Sequence, residues 1–165
     1  MKHKDKGIIF YSKIVKDNDL YIKILSSNDQ ILSGIVYGGN SSKKKIIYQL
    51  CYFIEFLLTK KNENTPPIII GEITKPYIGK IFEDKYKLNA LLSVTSLIKL
   101  SILEGQYVKG LYKDIERLIE NIVNEKHWII YYCNWLFSLL TLIGYQIDYK
   151  SNINNLNQIK KIIKI

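Results

Sequence analysis

Cysteine, histidine and arginine are all scarce in this chain of 165 residues. It has two cysteines, two histidines and a single arginine, Arg117, with no CxxC spacing and no cluster of histidine, cysteine and glutamate. A metal site therefore has little support. Cys51 and Cys133 each lie in an apolar stretch, which is typical of reduced thiols in the core of a cytosolic protein. We expect no disulfide, no metal and no other cofactor.

Long hydrophobic runs and catalytic motifs are missing as well. The most apolar run, residues 128–143, contains Asn134 and Ser138 and is shorter than the roughly 20 residues that a membrane span needs. A strand-like pattern, not a signal peptide, follows the charged residues 1–6. No GxSxG, P-loop or GxGxxG motif occurs. We expect a cytoplasmic protein that is not an enzyme, with 128–143 as a buried helix. A short membrane anchor is the alternative for this run.

Positive charge dominates the composition. The formal net charge is +9 and the pI is about 9.4, a balance that favours polyanionic partners such as nucleic acid or an acidic protein tail. The abundance of lysine, isoleucine, asparagine and tyrosine also fits A/T-rich codons and a solvated surface. Clustering distinguishes the two explanations, and Lys43, Lys44 and Lys45 are adjacent in a loop that begins with two glycines.

The first half of the chain has the pattern of five short strands. Runs rich in isoleucine and aromatic residues alternate with turn residues, and an Asn-Asp turn at 28–29 predicts the hairpin between the second and third strands. Five strands at this spacing predict a small barrel, which leaves no strand edge unpaired. The OB-fold is such a barrel and binds nucleic acids. The predicted strands are 7–13, 19–26, 30–37, 50–59 and 68–75.

The second half changes to helical periodicity. Apolar residues recur every three or four positions in 85–103, 108–123 and 126–143. Gly105 is expected to end the first helix and Gly144 the third. The fold class is therefore predicted as α+β, an N-terminal five-stranded OB-type β-barrel followed by a small helical bundle. The predicted divisions are a nucleic-acid-binding OB-fold at 1–78, a helical domain at 79–149 and a basic polar tail at 150–165.

Four short stretches are informative because they occur in a fixed order. KGIIF at 6–10 is similar to a first strand of the GIVL type, and DNDL at 17–20 to an acidic turn. SGIVYGG at 33–39 resembles a strand that ends in a glycine-rich loop, followed by the lysines of a basic loop. WLFSLL at 135–140, followed by Gly144 and Tyr145, looks like a WELALLxxLGYG-type helix. The set, over residues 1–149, resembles the RecO family of bacterial recombination-repair mediators.

The chain departs from that family's pattern at several positions. Leu50 and Cys51 stand where the family has Pro-Gly, Asn134 stands where its helix has an arginine, and Leu136 stands at its acidic position. Family members usually continue into a C-terminal region that often carries a cysteine-based zinc site. No cysteine follows Cys133 here, so we expect a short form that lacks this region.

The resemblance implies a function without catalytic chemistry. A member of this family binds single-stranded DNA, promotes strand annealing and, with its partner RecR, helps the recombinase RecA onto coated DNA. Its helical part recognises the acidic, apolar-ended C-terminal tail of single-stranded-DNA-binding protein. Two alternatives stay open: an adaptor that docks on that protein without binding DNA, and an OB-type RNA-binding protein.

The candidate nucleic-acid-binding residues follow from charge and loop composition. Glycines let a backbone approach a ligand closely, lysines neutralise phosphates, and exposed tyrosines can stack on bases; Tyr11, Tyr37 and Tyr48 are the candidate rings. The alternative is a solvated loop with tyrosines that pack in the barrel. The predicted nucleic-acid-binding residues are Lys13, Lys16, Lys23, Gly38, Gly39, Lys43, Lys44 and Lys45. The resemblance implies that the helical part docks an acidic tail, and the predicted partner-binding residues there are Lys99, Lys109, Lys113 and Arg117.

Overall fold

The computed structural model of the protein describes residues 2–145, and it confirms the predicted architecture of an OB-type barrel followed by a helical bundle. The predicted tail at 150–165 lies outside the described residues. In chain order the elements are β1 (Lys2–Lys16), β2 (Asp19–Ser26), β3 (Ile31–Val36), β4 (Phe53–Thr59), β5 (Ile68–Lys75), a 3-10 helix (Tyr77–Lys80), α1 (Lys85–Ser101), α2 (Leu111–Asn124) and α3 (Trp128–Leu142).

The five strands form a closed barrel in the order β1-β2-β3-β5-β4, and β4 returns to pair with β1. Closure between β3 and β5 is parallel, through the Ile35–Ile68 pair. The barrel interior is apolar and fully enclosed. It is filled by Ile9, Leu20, Ile22, Ile24, Val36, Tyr48, Ile54, Phe56 and Ile69.

Strand β1 is longer than the predicted 7–13 because it serves two neighbours. Its first part pairs with β4 and its second part with β2. The strands come so close at Gly7 that a Cβ there would lie 2.2 Å from Cγ2 of Ile24. Residues before Gly7 escaped prediction because lysines alternate on the outer side, at Lys2, Lys4 and Lys6.

The helices pack against one end of the barrel. Ile8, Phe10 and Phe53 from the strands join one buried cluster with Leu91 of α1 and Ile115 of α2. The barrel and the bundle therefore share a core, as expected for two units too small to be well stabilised alone. The predicted boundary after residue 78 falls inside the 3-10 helix, and it stays a prediction.

Two helix details differ from the sequence-based expectation. Helix α1 ends at Ser101 with Ile102 as its C-cap, so Gly105 lies beyond it, in a turn where its φ is +79°. Helix α3 is buried only at Trp135 and Leu139, because it packs chiefly on α2. No helix within residues 2–145 combines the length and the apolar character needed to cross a membrane.

Candidate nucleic-acid interface and helical groove

The glycine-rich start of the β3–β4 loop is fastened to the turn between β1 and β2. The Gly38 amide donates to Oδ1 of Asp19 at 2.7 Å, and the Asn40 amide donates to the Asn18 carbonyl at 2.8 Å. A Cβ on Gly39 would lie 2.9 Å from Cγ1 of Val36. Gly39 therefore serves the packing of the loop, whereas Gly38 supplies a positive φ of +63° and its amide is already bonded within the protein.

The lysines of this loop are exposed near one end of the barrel. Lys43, Lys44 and Lys45 all face solvent, and the Lys44 ammonium donates to the Tyr37 carbonyl at 3.0 Å. Lys16 is also exposed, and it pairs in register with Asp19, whose carboxylate accepts the hydrogen bond from the Gly38 amide. We call these four lysines the basic end. Its β1–β2 turn lies at the end of β2 opposite Leu25, which packs with the helices, whereas Lys45 also lines a cavity with Ile78 and Leu88 of the helical half.

A second surface lies on the outer side of the first three strands. Tyr11 is opposite Lys23 and Lys13 is opposite Tyr21 across β1 and β2, and Ser33 of β3 is opposite Lys23. Directly paired residues in an antiparallel sheet point to the same side. The rings of Tyr11 and Tyr21 meet edge to face, with centroids 6.3 Å apart. We call these five residues the β2 face.

A carboxylate from the helical half lies on the β2 face. Glu104, in the turn after α1, accepts hydrogen bonds from the Tyr21 hydroxyl at 3.5 Å and from the Ser33 hydroxyl, and its Oε2 is 3.2 Å from the Lys23 ammonium. Partial burial raises the pKa of Glu104, but these donors outweigh it and hold the pKa below its usual value. Lys23 is thus already paired in the free protein.

The tyrosine candidates have different environments. Tyr37 is 58% exposed beside the basic end. Tyr11 is half-buried, and the Lys99 ammonium lies 4.7 Å from its ring centroid. Tyr48 is buried inside the barrel, where its hydroxyl accepts a hydrogen bond from the Gly71 amide at 3.1 Å. Tyr48 is therefore a core residue, and it offers no ring for a base to stack on.

The predicted partner-binding residues do not lie together on one surface. Arg117 lines a cavity of about 250 Å³ between α2 and α3, and Lys109 lines a smaller one of about 90 Å³ beside it. We call the two cavities together the α2–α3 groove. Lys113 is exposed on α2, whereas Lys99 lies against the β2 face. The groove is lined centrally by Asp114, Trp135 and Ser138, which both cavities share.

Asn134 also lines the α2–α3 groove. It is the position at which the RecO resemblance led us to expect an arginine. One arginine, Arg117, and one acidic residue, Asp114, face the same cavity. The groove thus combines an apolar floor with mixed charge, and it is less basic than the predicted site.

Neither cysteine belongs to these surfaces. Cys51 is buried, and burial raises the pKa of its thiol to about 12. Cys133 is half-buried, which also raises its pKa. In the described part of the chain, no group of three or more histidine, cysteine or acidic side chains could hold a metal ion.

Sequence reasoning missed two residues of the β2 face, Tyr21 and Ser33. It also missed Glu104, whose carboxylate lies on that face. Alternation along β2 places Tyr21 on the same side as Lys23, so this residue could have been found. Glu104 lies 83 residues from Tyr21 in the sequence, and no local pattern indicates that contact.

Comparison with known proteins gives consistent matches along most of the chain. The family model described as "Recombination protein O C terminal" matches residues 83–161. The DNA repair protein RecO of Rickettsia canadensis (strain McKiel) is 30% identical over 159 residues, which are 96% of this chain and 65% of that protein. The DNA repair protein RecO of Rickettsia bellii (strain OSU 85-389) is 31% identical over 160 residues, again 96% and 65%. This chain spans just under two thirds of the length of these relatives.

Proposed function

This chain belongs to the RecO family, and from that membership we propose that it is a DNA repair and recombination mediator that binds single-stranded DNA. The observation that carries the proposal is the similarity over 96% of the chain to relatives named DNA repair protein RecO. Mediation requires binding and exchange and no bond-breaking chemistry, so the proposal assigns no catalytic residue. Acting on chromosomal DNA, the protein would work in the cytoplasm.

Two barrel surfaces support the DNA-binding part of the proposal. OB-folds hold single strands on the face of strands 2 and 3 and on the adjoining loops. Here that face carries Tyr21, Lys23 and Ser33, and Tyr11 and Lys13 of β1 lie beside them. The basic end supplies further lysines beside it. Lysines that neutralise phosphates release counterions, which makes binding dependent on salt, and tyrosine rings stack on bases of any sequence.

The α2–α3 groove is the proposed docking site for a protein partner. An apolar floor around Trp135, with Arg117 and Lys109 at its sides, suits the acidic, apolar-ended tail of single-stranded-DNA-binding protein. Recruitment of that protein, contact with RecR and assistance to RecA complete the mediator role. Strand annealing would follow from phosphate and stacking contacts that replace those of the coating protein.

Fluorescence anisotropy with a labelled single-stranded oligonucleotide tests this function. The wild-type protein should bind at low salt and weaken as salt rises, with a log–log slope of about 0.7 per phosphate contacted. The triple substitution Lys43→Ala, Lys44→Ala, Lys45→Ala should weaken binding and make the slope shallower. The matched control replaces three exposed lysines of the helical half, Lys85, Lys113 and Lys126, with alanine.

Equal loss in both triple variants would mean that net charge alone drives binding and would contradict the basic-end site. No binding by folded wild-type protein at low salt would favour the adaptor function. The internal pairing of Lys23 and of the Gly38 amide is the observation that favours that second candidate. Competition by RNA of the same sequence at lower concentration would identify an RNA-binding protein instead.

A further inference from the structure

The outer face of β2 and β3 holds a carboxylate with three different donors. The Ser33 hydroxyl donates a hydrogen bond to Oε1 of Glu104. The other carboxylate oxygen, Oε2, accepts a hydrogen bond from the Tyr21 hydroxyl at 3.5 Å and lies 3.2 Å from the Lys23 ammonium. These donors belong to adjacent strands of the barrel, whereas the carboxylate belongs to the turn between α1 and α2. The donors therefore form a site whose occupant comes from elsewhere in the chain.

The chemistry of this site suits a phosphate as well as a carboxylate. Lysine ammonium groups and the hydroxyls of serine and tyrosine are among the side-chain groups that hydrogen-bond phosphate oxygens in nucleic-acid complexes. The site is open to solvent, since the side chain of Glu104 is 45% exposed and that of Lys23 is 28% exposed. Tyr11, whose ring meets that of Tyr21 at 72°, borders the site with an aromatic surface that could contact a base.

We propose that Tyr21, Lys23 and Ser33 form a subsite for a backbone phosphate of a single strand, and that Glu104 occupies this subsite in the unbound protein. The inference rests on the proposed function and deepens it. Glu104 imitates the phosphate charge and competes with it, so a strand binds only where it displaces the carboxylate. The α1–α2 turn thereby lowers the affinity of the β2 face for a single strand.

Displacement requires little rearrangement of the turn itself. The backbone of the turn is held separately, by the Gln106 amide bonded to the Leu103 carbonyl at 3.1 Å and by the Gln106 side chain bonded to the Leu103 amide. Glu104 can leave through a change of side-chain rotamer while these bonds persist. An ion pair as exposed as this one is also weakly held, which makes exchange with a phosphate feasible.

The test compares Glu104→Gln with Glu125→Gln in the full chain by oligonucleotide anisotropy. Both substitutions remove one negative charge, but Glu125 is exposed beyond α2. Removing a like charge about 4 Å from a bound phosphate should strengthen binding about fivefold, so Glu104→Gln should bind about fivefold more tightly than Glu125→Gln. Ser33→Ala and Lys23→Met should each weaken binding, and in a Lys23→Met background the gain from Glu104→Gln should be much smaller.

The outcomes separate this inference from the proposed function. If the Lys43/Lys44/Lys45 variant loses binding while Glu104→Gln and Glu125→Gln bind equally, the basic end stands and the phosphate subsite is overturned. If Glu104→Gln binds more tightly to the same extent with Lys23 or methionine at position 23, the gain is non-specific and the subsite is again overturned. If folded wild-type and Glu104→Gln proteins both fail to bind at low salt, both proposals fall.

Discussion

At the scale of single residues, Asp29 connects the barrel to the bundle. It lies in the β2–β3 turn with a φ of +61°, yet its carboxylate accepts hydrogen bonds from the amides of Gly110 at 2.7 Å and Tyr112 at 2.9 Å. Helix α2 begins after Gly110, which has no side chain to cap the helix. Asp29 therefore caps α2 from 81 residues away, and its negative charge suits the positive end of the helix dipole.

Replacing Asp29 should separate capping from turn strain. Asp29→Ala loses both amide bonds and places alanine in a left-handed conformation. Asp17→Ala is the matched control, because Asp17 also has a positive φ, of 43°, and is exposed in the β1–β2 turn. Urea unfolding should show that Asp29→Ala lowers the free energy of unfolding by about 1–2 kcal/mol more than Asp17→Ala does. Equal losses would mean that the carboxylate contributes no cap.

Cys51 illustrates what a departure from a family pattern reveals about a single residue. It stands where the RecO pattern has glycine, and its φ of +62° lies in the left-handed region that favours glycine. Its thiol instead fills buried space and donates to the Leu91 carbonyl at 3.5 Å. The sequence indicated the unusual residue, but neither the backbone angle nor the contact to α1 was predictable, since both depend on packing between barrel and bundle.

At the scale of elements, an ionic cluster joins β5 to α2. The Lys75 ammonium lies 2.9 Å from Glu116 and 3.0 Å from Glu120, and the Tyr77 hydroxyl donates to Glu120 at 2.5 Å. The hydrogen bond from Tyr77, followed by that from Lys75, holds the pKa of Glu120 below its usual value. The joint between the two halves of the molecule therefore depends on an ionised carboxylate.

That dependence predicts a loss of stability in acid. A lowered pKa means that Glu120 contributes stability above its unfolded pKa of about 4.3, and that the contribution disappears as pH falls through the folded value. Glu120→Gln should be less stable than wild type at pH 7 by about 1 kcal/mol, a modest figure because solvent screens the partly exposed group. Urea midpoints measured between pH 7 and 3 should converge for the two proteins. Glu83→Gln, at an exposed glutamate, should show no such convergence.

The elements themselves were largely predictable, and the contacts between them were not. β2 and β5 lie where alternation and turn residues placed them, because each strand has one face inside the barrel. The first strand was predicted to be shorter than it is, because the residues before Gly7 lack the apolar alternation that predicts a strand. Lys13 and Lys23 were predicted as site residues from charge alone, but the capture of Lys23 by Glu104 depends on how the α1–α2 turn lies across the sheet.

At the scale of the whole molecule, the shared core determines how the protein unfolds. Ile8, Phe10 and Phe53 of the barrel are buried in the same cluster as Val94 and Ile98 of α1. Exposure of either half would expose apolar surface of the other. The predicted division near residue 78 therefore need not correspond to two independent folding units, and cooperative unfolding is the expected behaviour.

A barrel substitution should consequently destabilise the bundle. Ile54 is fully buried inside the barrel, so Ile54→Ala should cost about 2–5 kcal/mol. Ile70→Ala is the matched control: it changes the same residue type on the neighbouring strand, but Ile70 is 64% exposed, and the cost should stay below about 1 kcal/mol.

Both tryptophans, Trp128 and Trp135, lie in α3, so their fluorescence reports on the bundle alone. If barrel and bundle unfold together, Ile54→Ala must shift the tryptophan transition in urea as far as it shifts the circular dichroism of the whole protein. A tryptophan midpoint that stays at the wild-type value would instead establish two separately folding units, with the shared cluster as an interface between them.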